Sequence, residues 1–103
     1  MVRVYEHPDP QDMTLERVLF ALSDPVRMGM VRILASRGPV NSLELAPDMP
    51  KSTVAHHTRI LREAGVTHTK PDGRTCWISL HRDLLNEKFP GLLDVILAAQ
   101  PSA

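Results

Sequence analysis

One cysteine, Cys76, stands in 103 residues, so no disulfide can form within the chain and a dithiol redox switch has no second thiol. No apolar run is long enough to cross a membrane. No basic stretch near Met1 joins an apolar run of signal-peptide length. A cytoplasmic chain without a membrane partner is therefore expected. Twelve basic and twelve acidic residues give zero net charge, which argues against a general polyanion binder. Gly-rich phosphate loops, a nucleophile elbow and a metalloprotease helix are all missing, and the five histidines have no obvious nucleophile beside them. Consecutive His56 and His57 would point about 100° apart on a helix, too far to share one ion or one proton. An enzyme is not expected. The length supports one domain, which could bury about 60–70% of its unfolded surface. No internal repeat or low-complexity tract divides it.

The charge is unevenly placed. Residues 1–50 hold five Arg and seven acids, and residues 76–103 hold two bases and three acids. Residues 51–75 carry Lys51, Arg59, Arg62, Lys70 and Arg74 against Glu63 and Asp72, with His56, His57 and His68 among them. A local surplus of three positive charges is the footprint of a small nucleic-acid-binding face.

Periodicity predicts mostly helices. Residues 1–12, with Pro8 and Pro10 and no pattern, read as a flexible arm. Leu15, Val18, Leu19 and Leu22 make one stripe on a first helix that stops near Ser23. Asp24-Pro25 restarts the chain as a second helix, because Asp caps free N–H groups and Pro at the first position loses no bond. That helix runs to about Arg37 and ends at Gly38-Pro39; Gly29 inside it suggests a close helix crossing. Asn41-Ser-Leu-Glu44 is a capping-box pattern for a third helix that Pro47 shortens or kinks. A fourth helix begins around Pro50 or Lys51 and ends at Gly65. On its wheel Val54, His57, Thr58, Leu61 and Ala64 share one side and Ser52, Ala55, His56, Arg59 and Glu63 the other. Thr67–Lys70 and Thr75–Leu80 predict a two-stranded hairpin around the turn Pro71-Asp-Gly-Arg74. Asp83–Phe89 and Pro90–Ala99 are helical in pattern, with Leu92, Leu93, Ile96 and Leu97 as a stripe. Residues 100–103 are a tail. The sum is a mainly α domain (α+β) over residues 13–99, a winged helix-turn-helix of five to six helices plus a two-stranded wing.

The stretches Ala21-Leu-Ser-Asp-Pro-Val-Arg27, Ser52-Thr-Val-Ala-His-His57 and Leu61-Arg-Glu-Ala-Gly-Val66 resemble the ArsR/SmtB family of bacterial transcriptional repressors. The resemblance covers roughly residues 13–99. It implies a homodimer, its first and last helices packed together, with a recognition helix from each subunit in successive major grooves of a palindromic operator. The residues themselves also argue for a dimer, since Leu15, Val18, Leu19, Leu22, Leu92, Leu93, Ile96 and Leu97 are more apolar side chains than a small monomer's terminal helices easily hide.

Double-stranded DNA is thus the expected partner. Ser52, His56 and Arg59 are assigned to base edges, Thr53 to a flanking contact and Lys51 to a phosphate, with Lys70 and Arg74 reaching the backbone or minor groove from the wing. Where the family usually has a small serine, Ala55 offers a methyl contact to thymine. His57 matches the family's histidine, yet the wheel turns it toward packing, so a structural role is favoured over a base contact. Many family members release DNA on binding a metal, through paired cysteines before the recognition helix or a His/Asp/Glu set on the last helix. Here the first place reads Leu43-Glu-Leu-Ala-Pro-Asp48, and His81, Asp83 and Asp94 have no further His, so neither a metal nor another cofactor is expected. Cys76 beside Trp77 reads as a core residue. An unidentified small-molecule or protein effector is compatible with these residues. The rival reading is a winged helix that binds protein without specific DNA binding, because fold alone does not settle function.

Overall fold

The first three helices each begin where a short polar side chain takes up free backbone N–H groups. The computed structural model describes residues 4–99, so the expected tail and the first three residues of the expected arm lie outside the described residues. Helix α1 (Leu15–Leu22) starts at Thr14, whose hydroxyl accepts from the Arg17 N–H. Helix α2 (Pro25–Arg37) starts at Asp24, whose carboxylate accepts from Val26 and Arg27 at 2.9 and 3.1 Å. Helix α3 (Ser42–Leu45) starts at Asn41, which accepts from the Leu43 N–H. The expected capping box is only half made, because Glu44 extends to Arg37 at 3.8 Å instead of turning back. One turn later the helix has ended, before Pro47.

Helix α4 (Lys51–Glu63) follows the cap residue Pro50 and gives way to Gly65 in the left-handed region, φ 84°. The wing is a three-stranded sheet where two strands were expected. Strand β1 (Val40–Asn41) pairs with β3 (Thr75–Leu80), which pairs in turn with β2 (Thr67–Asp72), giving the antiparallel order β1-β3-β2. Two residues carry too little alternation for β1 to be read from sequence. The chain closes with α5 (Arg82–Lys88) and α6 (Leu92–Ala98). The described residues form a winged helix-turn-helix of six α-helices and a small sheet. No helix among the described residues is long and apolar enough to cross a membrane.

Val18, Val31, Leu34, Val40, Leu61, Val66 and Ile78 lie fully buried at its centre, drawn from α1, α2, β1, α4, the following turn and β3. Each such side chain contributes about 1.5–3 kcal/mol of transfer free energy, so the core ties α4 to the helices behind it and the sheet beside it. Gly29 does not mark a close crossing: nothing lies within 4 Å of the place its Cβ would occupy.

Within residues 4–12, expected as a flexible arm, Tyr5 and His7 make contacts with α4 and the sheet. The Thr69 N–H donates to His7 Nε2 at 2.9 Å, His7 stacks on His68 with centroids 4.4 Å apart, and the Tyr5 ring lies under the Arg62 guanidinium at 5.1 Å. A short 3₁₀ turn, Pro10–Asp12, then leads into Met13, which is buried against Gly65.

Candidate nucleic-acid interface

The two flanks of α4 separate as the wheel predicted. Val54, Thr58 and Leu61 are buried, while Lys51, Ser52, Ala55, His56, Arg59 and Glu63 are exposed and Thr53 and His57 lie between. Apolar burial thus fixes the inner flank and leaves a row of short polar and cationic groups outside.

That row, Glu63 excepted, lines a groove of about 690 Å³ walled by α3 and the turn after it, α4, and the hairpin. Lys51, Ser52, His56 and Arg59 line it from α4, Arg74 from the wing turn, and Leu43, Ala46, Met49 and Cys76 supply apolar wall. Four cations face it, Lys51, Arg59, Arg62 and Arg74, and no carboxylate among the described residues does. Such a balance of charge attracts an anion.

Five of the seven sequence-assigned DNA residues therefore come together in one groove. Thr53 and Lys70 do not line it. Lys70 stands opposite Trp77 across the β2–β3 pairing, on the sheet face turned away from buried Thr67, Thr69, Cys76 and Ile78. The tip of the wing is braced on that outer face: Trp77 Nε1 donates to Asp72 Oδ2 at 2.9 Å, Thr75 Oγ1 donates to the Asp72 carbonyl, and Asn41 Nδ2 donates to Thr75 Oγ1. The Asp72 carboxylate is thereby held away from the cationic groove.

Sequence reasoning missed Arg62 and Tyr5, which also line the groove. Arg62, three residues beyond Arg59, could have been found from helical spacing. Tyr5 could not, since its position depends on the docking of the arm.

His57 packs inward. Its Nδ1 lies 3.1 Å from Nη1 of buried Arg27, so this ring nitrogen is not free for a base. Burial lowers the pKa of His7 and of His81, with neighbouring histidines adding to the effect and, for His7, Arg62 as well. The Arg27 N–H, followed by that residue's charge and the Val26 N–H, holds Asp24 below its ordinary value against the opposing effect of burial. Cys76 is buried as expected. Among the described residues no group of three or more His, Cys, Asp or Glu is placed to hold a metal ion.

Of the eight apolar residues expected at a dimer interface, Val18, Leu22, Leu93 and Ile96 are buried within this chain, where α1 and α6 meet beside Val31, Val66 and Leu85. They cover the protomer's own core and are not available to a partner. Leu92 and Leu97 are half-buried against the same core. Leu15 and Leu19 remain 41% and 47% exposed, joined by Phe20 at 62% and Val95 at 68%, two residues the stripes had not selected.

A family model described as a helix-turn-helix domain matches residues 22–69. The uncharacterized HTH-type transcriptional regulator YceK of Bacillus subtilis (strain 168) is 33% identical over 88 residues, 82% of this chain and 88% of that one. Among solved structures, an ArsR family transcriptional regulator superposes with a TM-score of 0.64 at 23% identity, covering 92% of this chain and 100% of that one. The transcriptional repressor BigR from Xylella fastidiosa gives a TM-score of 0.61 at 25% identity, over 84% of this chain and 88% of its own.

Proposed function

Because the chain belongs to the helix-turn-helix transcriptional regulators and has the ArsR-type winged fold, we propose that it is a sequence-specific reader of double-stranded DNA, a cytoplasmic repressor working as a homodimer on a palindromic operator. The main support is that Lys51, Ser52, His56 and Arg59 of α4 line a groove with four cations and, among the described residues, no carboxylate. The description of its structural neighbour BigR as a repressor supports the direction of control.

In this reading Lys51 holds a phosphate at the start of α4, and Ser52 and His56 meet base edges. Arg59 is the guanine reader, because a planar guanidinium donates two bonds to O6 and N7. Ala55 offers its methyl to thymine, and Thr53 makes a flanking contact. Arg74 follows the backbone or minor groove from the wing turn, and Lys70, on the outer face, adds attraction to phosphates. Leu15 and Leu19, together with Phe20 and Val95, form the apolar surface that a symmetry mate covers. Two-fold symmetry sets the half-sites one helical turn of DNA apart, about 34–36 Å, or a multiple of it.

Selection of bound duplexes from a random pool tests the whole reading. An enriched inverted repeat is expected, with binding that weakens steeply as salt rises. A pool that stays random through successive rounds would overturn it in favour of a protein-binding winged helix.

A further inference from the structure

An arginine as deeply buried as Arg27, 6% exposed, ordinarily rests its guanidinium on a carboxylate. Here the only ion pair within 4.0 Å among the described residues is Arg37–Glu44. Arg27 instead donates Nε to the Ala21 carbonyl at 2.7 Å, Nη2 to the Phe20 carbonyl at 3.4 Å, and Nη1 to His57 Nδ1 at 3.1 Å. Phe20 and Ala21 are in the last turn of α1, at the negative end of its dipole, and the Phe20 carbonyl also accepts from the Ser23 N–H and hydroxyl. The third bond crosses to α4, thirty residues away. A guanidinium only donates, so His57 Nδ1 is the acceptor and the ring proton sits on Nε2.

We propose that Arg27 is a positioning residue for DNA reading, which acts through His57 to fix the rotation of α4 about its own axis. The inference rests on the DNA-reading role proposed above. The buried flank of α4, Val54, Thr58 and Leu61, is held by contacts that are largely non-directional. A hydrogen bond to a guanidinium anchored on another helix is directional. His56 precedes His57 by about 100° around the helix, so the angle of one sets the angle of the other. With side chains reaching about 5–6 Å from the axis, a rotation of about 20° carries a tip roughly 2 Å, enough to break a base contact. The anchor lies beside Phe20, whose ring is 5.7 Å from the Arg27 guanidinium carbon and whose side chain is exposed. Whatever packs on α1 therefore presses on the same residue that holds the reading helix.

The experiment compares wild type with His57→Leu, His57→Gln, Arg27→Met and the Arg27→Met/His57→Leu double variant. Affinity is measured for the selected operator and for random duplex of equal length, and ¹⁵N NMR reads the His57 ring. Wild type is expected to carry an unprotonated Nδ1 and a protonated Nε2. His57→Leu should lose about tenfold in operator affinity with random-duplex affinity unchanged. His57→Gln, whose carbonyl can still accept from Arg27, should recover most of that loss. Arg27→Met should match His57→Leu, with the double variant no worse than either. If Arg27→Met does not fold, the two His57 variants decide. A wild-type operator-to-random ratio in His57→Leu would overturn the inference, as would a protonated Nδ1 in wild type, or a His57→Gln as poor as His57→Leu. Failure of the DNA-reading role itself would appear in wild type, as the absence of any selected operator, before a variant is compared.

Discussion

Replacing Asp24 by Ala should remove the two bonds that start α2 and lower stability by about 1.5 kcal/mol, in the upper part of the usual range for a helix cap. The carboxylate accepts from both Val26 and Arg27, at 2.9 and 3.1 Å, and it faces the positive end of the helix dipole. For a domain of this size the loss corresponds to roughly 6–12 °C in Tm. Asp24→Asn keeps a cap of similar quality and loses only the charge, so it should cost about 0.3–1 kcal/mol. The pKa of Asp24 is depressed below its ordinary 3.8 in the folded chain, chiefly by the Arg27 N–H, so the unfolded chain takes up the proton first as pH falls. Its contribution is therefore fully present above 3.8 and is lost as pH falls below that value through the folded one. Urea denaturation of wild type, Asp24→Ala and Asp24→Asn between pH 7 and pH 3 measures all of this. A gap under about 0.3 kcal/mol at neutral pH, an Asn variant as unstable as the Ala variant, or a gap that widens on acidification would refute the reasoning.

Arg59→Ala should cost about 1–3 kcal/mol of operator affinity and relax preference at one base pair, whereas Arg74→Ala should weaken all duplexes alike and lower the salt slope by about one, both read by titration across a salt series. Two glycines should respond in opposite directions to alanine. Gly29→Ala meets open space in the middle of α2 and should stabilise by about 1 kcal/mol, while Gly65→Ala, at φ 84° with its new Cβ 2.5–2.8 Å from the Met13 side chain, should destabilise by about 2 kcal/mol in thermal unfolding. Acid should release the arm. His7 accepts from Thr69 only through an unprotonated Nε2, and burial lowers its pKa from 6.5, so the docking contribution is complete above 6.5 and lost as pH falls through the folded value. Hydrogen exchange at the Thr69 amide, corrected for intrinsic rate, should show protection at pH 7.5 that fades by about pH 5; equal protection at both would refute it.

What could be read from the sequence was what repeats along it. The faces of α4 were legible because Val54, Thr58 and Leu61 recur at helical spacing, and the caps Asp24 and Asn41 because their chemistry acts within three residues. Pairings between distant residues were not legible. Val40-Asn41 became a strand only because Ile78 and Trp77 lay beside it, and the arm found its place through His7 and Thr69, sixty-two residues apart. The apolar stripes of α1 and α6 were real, but periodicity cannot tell which partner a stripe meets: Val18, Leu22, Leu93 and Ile96 meet within the chain. Ser52, Ala55, His56 and Arg59 of the groove followed from the wheel, whereas Arg62 was passed over, Tyr5 required the docked arm and Lys70 required the pleat of β2 to show that it points elsewhere.

Strand β2 lies at the border of its sheet, and the Thr69 N–H there is capped by an imidazole where another strand would otherwise bond. A chain shortened to begin at Met13 would bare that border, and unpaired strand borders recruit one another. Such a truncation should clump in concentrated solution even with α1 to α6 intact, which would make the segment around His7 a guard against self-association through the wing.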